Sequence, residues 1–180
     1  MRLSFLAALT LALATPALAE VPEPEGLVIV TLGGTAEANG AAPDPEKRGF
    51  FNYLELEYGT GIGLDLAILD TLPQQEITRT LFADEGAATY SGPLLADVLT
   101  MAGAQGKTSH PMALDGYEVE IAWDMVETQQ PILATRIDGL PIALGQLGPT
   151  LIVFPEVEDE DLTEELNKLS VYALTYIGLD

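Results

Sequence analysis

The chain contains no cysteine and only one histidine, and its 7 lysines and arginines face 28 aspartates and glutamates. Without cysteine there is no disulfide, no thiolate nucleophile and no soft sulfur ligand for a metal, so packing alone must hold the fold. One histidine cannot form a multi-histidine metal site, and no Gly-x-Ser-x-Gly stretch accompanies it, so a Ser-His-Asp hydrolase has no specific signal. The shortage of basic residues excludes nucleic acids and anionic membranes as partners, because a phosphate surface would be repelled. No apolar run reaches the roughly 20 residues that a spanning helix needs.

What is present begins with an export signal. Arg2 gives a short positive start, Leu3 to Ala14 are apolar, Pro16 breaks the run, and Ala17-Leu18-Ala19 has the small-x-small pattern of signal-peptidase cleavage. Residues 1–19 are therefore expected to be a signal peptide removed after Ala19, with the mature protein in a periplasm and no membrane insertion afterwards. That segment holds one base and no acid, so residues 20–180 keep 28 acids and 6 bases, a formal charge of −22.

Residues 20–49 are expected to be an extended N-terminal stretch, with a strand over 26–32 and a flexible loop rich in Ala, Gly, Pro and Asn. Residues 50–180 make up the main domain, to which strand 26–32 is added. Phe50 to Tyr58 is ambiguous between strand and helix, and GTGIG at 59–63 reads as a flexible turn without the lysine of a phosphate loop. Asp65 can cap a helix carrying Leu66, Leu69 and Leu72 before Pro73. A strand follows over 76–82. In SGPLLADVLTMAG, Ser91 or Gly92 is the expected N-cap, Pro93 the first helical residue, and Gly103 the left-handed terminus, with Leu94, Leu95, Val98, Leu99 and Ala102 on one face.

Two hairpins come next, turning at Asp115-Gly116 and Asp138-Gly139. The first predicts Tyr117, Val119, Ile121 and Trp123 facing inward and Glu118 and Glu120 facing water; Asp124 can cap the single turn MVET. Leu151 to Phe154 is a short strand. Asp161 and Glu164 have capping-box spacing for a helix to Leu169, and residues 170–178 alternate as a last strand. Short strands and a few short helices in no βαβ order predict an α+β fold with mixed, mainly antiparallel sheets.

Few residues carry chemical promise. His110 precedes Pro111 at the start of a strand and reads as a loop histidine. Arg79 and Arg136 are the candidates for a small-anion or ligand pocket, although each can instead pair with one of the abundant acids. Glu156, Glu158, Asp159, Glu160 and Asp161 lack the spacing of a calcium loop and read as a solvated face before a helix.

The succession LPQQEITRT, TYSGPLLADVLTMAGA, ALDGYEVEIAW, ILATRIDGLPI and GPTLIVFP resembles the oxidoreductase molybdopterin-binding domain, the sulfite oxidase fold, in its small exported single-domain members. The resemblance covers residues 72–154 and implies a sulfite-oxidase-like arrangement. It also implies a molybdenum ion held by one cysteine after the strand that ends at Phe82. Here that region reads LFADEGAATY, and neither Asp84 nor Glu85 reproduces a thiolate. Gripping the pterin phosphate, as family members do, would fall to Lys47, Arg48, Arg79, Lys107, Arg136 and Lys168. The expectation is thus a chain without cofactor, metal ligands or catalytic residues, binding an unidentified protein or small molecule as an accessory or sensory module. Two alternatives stand beside it: a molybdopterin-dependent oxidoreductase with an atypical metal site, and an acidic cation-binding exported protein.

Overall fold

The computed structural model describes residues 20–35, 37–82 and 86–180. The expected signal peptide, and Asp84 and Glu85, lie outside the described residues. The elements run β1 (Val30–Gly33), α1 (Phe50–Tyr53), β2 (Gly61–Leu64), α2 (Leu66–Leu69), β3 (Gln74–Arg79), β4 (Ala88–Pro93) and α3 (Leu95–Met101). Then come β5 (Ser109–Ala113), α4 (Trp123–Gln129), β6 (Ile132–Ala134), β7 (Arg136–Ile137), β8 (Leu140–Pro141), β9 (Leu151–Val153), α5 (Glu160–Leu169) and β10 (Leu174–Leu179). The fold is α+β with mostly antiparallel sheets and short helices. Its strands form the orders β2-β1-β10-β5, β3-β4-β7-β8 and β6-β9. Among these pairings β1 and β10 run parallel and the others antiparallel. None of the described helices is long and apolar enough to cross a membrane.

The β6–β9 pair explains how the core is divided. Every residue of both strands is buried, and alternate side chains point to opposite faces. Leu133 and Ile152 join the larger core with Leu32, Leu64, Leu95, Leu99 and Phe154. Ile132, Ala134, Leu151 and Val153 join the smaller one with Tyr90 and Ile142. A strand buried on both faces has no polar alternation to show, which is why these segments read as plain apolar runs.

Helix α3 buries the expected face, with Leu95, Val98 and Leu99 fully enclosed. Its end follows from Gly103, at φ +70°, where Ala104 N–H donates to the Leu99 carbonyl and Gly103 N–H to that of Thr100. These two bonds satisfy carbonyls that the helix would otherwise leave bare. Its start differs from expectation. Pro93 is the last residue of β4, opposite Gln74, and the helix begins at Leu95 with no side-chain cap. Proline lacks the N–H that a continuing ladder would need, so it suits a strand end as well as a helix start. Leu95 N–H then donates to the Pro131 carbonyl.

Other local expectations meet a similar mixture of outcomes. Asp138 and Gly139 both have positive φ, 49° and 79°, and turn β7 into β8 as a primed hairpin requires. Helix α5 is capped by Asp159, whose Oδ1 accepts from Leu162 N–H, and not by Asp161, which lies in the first turn. Tyr117 is 49% exposed, whereas Ile121 is buried; only isolated bridges link this segment to β5, so strict alternation ends near the turn. Trp123, expected in a strand, opens α4.

Asp65 caps α2 as predicted and does more. It is 2% exposed; Oδ1 accepts from Ile68 N–H at 2.8 Å and Oδ2 from Gly26 N–H at 2.7 Å, tying the N-terminal stretch to the helix start. Burial pushes its carboxyl up, but the N–H groups of Ile68, Gly26, Glu25 and Ala67 outweigh that and hold it below its ordinary value of 3.8. Asp65→Ala is expected to cost about 2 kcal/mol in urea unfolding at neutral pH. Because the folded-state value is the lower one, this stabilisation is complete above pH 3.8 and is lost as pH falls through the folded value. Asp65→Asn, which has no carboxyl to protonate, should therefore lose less stability than wild type between pH 5 and pH 2 (about 1 kcal/mol less). Parallel pH profiles of the two proteins would contradict this.

Candidate functional site

Arg79 and Arg136 lie on either side of β4, Arg79 on β3 opposite Ala88 and Arg136 on β7 opposite Ser91. Their guanidinium groups turn to different partners. Arg79 is buried; Nη1 donates to the Phe154 carbonyl and Nη2 to Asn167 Oδ1, each at 2.7 Å, while Nε has no hydrogen-bond partner among the described residues. The Tyr172 hydroxyl nearby is raised in pKa by burial and pulled back by the Arg79 charge. Arg136 makes a two-pronged ion pair with Asp70, 2.7 Å at each oxygen, and a bond to Thr135 Oγ1. Its partner is thus an acid at the end of α2, whereas Asp138 instead accepts from Thr89 N–H.

The other basic side chains are dispersed. Lys47 pairs with Asp44, Lys168 with Glu164, and Lys107 reaches the Gly34 carbonyl at 3.4 Å. Among the described residues no group of three or more His, Asp or Glu side chains is placed to hold a metal ion, and the chain has no cysteine. The donor set therefore does not fit a thiolate-held molybdenum ion.

A different place gathers unsatisfied chemistry. Across the first sheet, the register sets Gly61 of β2 beside Gly33 of β1, Gly33 beside Gly178 of β10, and Gly178 beside His110 of β5. This row of glycines is a floor for two rings. A Cβ on Gly33 would collide with the Tyr176 hydroxyl and with Tyr58 Cβ, and one on Gly61 would come within 2.9 Å of Tyr58 Cε2. Glycine here is a requirement of close approach, which places Gly61 and Gly63 in strand β2 and corrects the expectation of a flexible turn over 59–63.

Tyr58, Tyr176 and Phe51 form a ring cluster with centroids 5.5 to 6.2 Å apart. The Tyr58 hydroxyl donates to the Pro43 carbonyl. Tyr176 is 6% exposed and its hydroxyl has no hydrogen-bond partner among the described residues. Burial first, then Tyr58 and Glu118, push its pKa up to about 12, so the group stays a neutral O–H at any physiological pH.

The space in front of these rings is a cleft of about 340 Å³ lined by Gly33, Gly34, Glu55, Leu56, Glu57, Tyr58, His110, Glu118, Tyr176, Gly178, Leu179 and Asp180. Residues 55–58 also wall a second hollow of about 640 Å³ that adds Asp44, Glu46 and Asn52. Glu55 holds a left-handed φ of 55° just after α1, a position that favours glycine. His110 Nε2 lies 2.8 Å from Asp180 Oδ2 on the rim. Glu55, Glu57 and Glu118 have no ion-pair partner among the described residues.

The sequence offered no direct pointer to this site, because its residues come from five separated places in the chain. The available signal was three glycines, 33, 61 and 178, each inside or beside a β-rich run where glycine weakens a strand unless something lies close above it. Neither the protein-family models nor the curated proteins contain a match to this chain.

Proposed function

We propose that this chain is an exported binding module on a sulfite-oxidase-like scaffold, without molybdenum cofactor and without catalytic chemistry, serving as an accessory or sensory partner of a small molecule or protein. The observation that carries this reading is the engagement of five of the six basic side chains, all but Arg48, by the chain's own acceptors. A pterin phosphate is a dianion and needs several converging donors. Arg79 and Arg136 are held by Phe154, Asn167 and Asp70, and Lys47, Lys107 and Lys168 contact separate parts of the surface. Export is supported by the charge and hydropathy pattern of residues 1–19, and the cleft beside Tyr176 is the ligand site this reading favours.

The test is elemental and pterin analysis of protein purified from its native host, with the N-terminus read by mass spectrometry. Molybdenum far below one atom per chain and a mature chain starting at Glu20 are the expected results. Stoichiometric molybdenum together with an oxidised-pterin fluorescence signal would overturn the proposal.

A further inference from the structure

On a chain of charge −22, carboxylates around a cleft do not by themselves define a ligand. What sets this cleft apart is Tyr176. Its side chain is more than nine-tenths buried, its hydroxyl lies over Gly33 at the cleft floor, and no group among the described residues pairs with it. The hydroxyl keeps access to the cleft, so a bound molecule could replace water as its hydrogen-bond partner.

The sign of that molecule follows from the rim. Glu55, Glu57, Glu118 and Asp180 line the cleft and neither lysine nor arginine does; His110 on the rim lies against Asp180, and Lys107 bonds the Gly34 carbonyl. A compact metal ion is a poor match, since it needs several oxygens converging on one point and the described acids nowhere cluster in that way. Carboxylates spread around a cleft suit a cation whose charges are spread along a chain. Tyr58 and Tyr176, backed by Phe51, supply ring faces on which methylene groups and ammonium groups both bind well.

We propose that this cleft binds a linear aliphatic di- or polyamine. One ammonium group donates to the Tyr176 oxygen and to Glu118, a second to Glu55, and the intervening methylenes lie against the tyrosine rings. The proposal rests on the binding-module reading and names its ligand class, and the two fail separately. Molybdenum and pterin in the purified protein would sink that reading, whereas the amine measurement stands or falls on its own isotherm.

The experiment is titration calorimetry of the full mature chain with spermidine at about 150 mM NaCl, where non-specific surface attraction is screened, with melting curves alongside. Saturable binding is expected, with a rise in melting temperature that magnesium chloride at matched ionic strength does not reproduce. Tyr176→Phe keeps the ring and removes only the hydroxyl, and Glu118→Gln keeps the shape and removes the charge. Each should weaken affinity on the order of tenfold while leaving the melting temperature of the free protein near wild type. Glu55→Gly should weaken affinity similarly in a protein at least as stable as wild type, since glycine accepts the left-handed backbone at that position. Absence of saturable heat, an equal response to magnesium, or unchanged affinity in all three folded variants would overturn the proposal.

Discussion

Replacing Gly92 with alanine is expected to be the most damaging single-methyl addition in the chain, costing about 4 kcal/mol and lowering the melting temperature by roughly 10 °C or more. Gly92 is buried in β4, and a Cβ there would collide with the Leu133 carbonyl oxygen, lying 2.8 Å from Leu133 C and 2.9 Å from Ala134 Cα. All three are backbone atoms of a buried strand, so no side chain can rotate away. The reason for the close approach lies in the register. Ser91 pairs with Arg136 and Leu94 bridges to Ile132, so Gly92 and Pro93 face Leu133, Ala134 and Thr135, two residues against three. This is a bulge that lets β6 turn from β4 toward β9, and it needs the space a side chain would fill. Gly49→Ala is the control: its φ of 179° is ordinary extended backbone and its nearest neighbour would be 3.8 Å away, so its effect should stay within about 0.5 kcal/mol. Thermal and urea unfolding of the two variants decides the matter; a Gly92→Ala protein as stable as the Gly49→Ala protein would show that β4 and β6 do not pack this closely.

The same stretch shows what a sequence can and cannot convey. The apolar face of α3, the glycine that ends it, the Asp65 cap and the Asp138-Gly139 turn were legible because each is a local matter of backbone angle or periodicity. Pro93 misled because its two permitted uses, opening a helix and ending a strand, are indistinguishable until the partner strand is known. Gly61 and Gly63 looked like a turn because glycine permits turns; their actual role is to make room for Tyr58 and the Ala41 backbone, which come from elsewhere in the chain. The cleft was illegible for the same reason. Glu55 and Glu118 look like any solvated acid in a strongly acidic chain, and Tyr176 looks like a core residue of an alternating strand. Only the pairing of β10 with β1 on one side and with β5 on the other brings the hydroxyl of one to the carboxylates of the others.

Arg79 provides the second large effect, and it separates a structural arginine from an anion-binding one. Its side chain crosses from β3 to the end of β9 and to α5, donating at 2.7 Å to the Phe154 carbonyl and to Asn167. Phe154 is fully buried, so truncating Arg79 leaves that carbonyl without a partner, whereas Asn167, on the exposed side of α5, can turn to water. Two terms oppose each other. The lost charge-assisted bonds and the packing of the stem favour the arginine by several kcal/mol, while a buried guanidinium whose Nε has no partner and which touches no carboxylate among the described residues carries a desolvation cost that truncation relieves. The bonds and packing should win, because the alanine variant keeps the orphaned carbonyl and adds a void, giving a net loss of about 3 kcal/mol. Arg79→Lys, which can still reach one acceptor, should lose roughly half as much. If the role is structural, the alanine loss is the same with and without added phosphate in urea unfolding. A loss that grows with phosphate concentration would instead identify Arg79 as the anchor of an anion site, and the engagement of its donors by Phe154 and Asn167 would then have to be a state that the anion displaces.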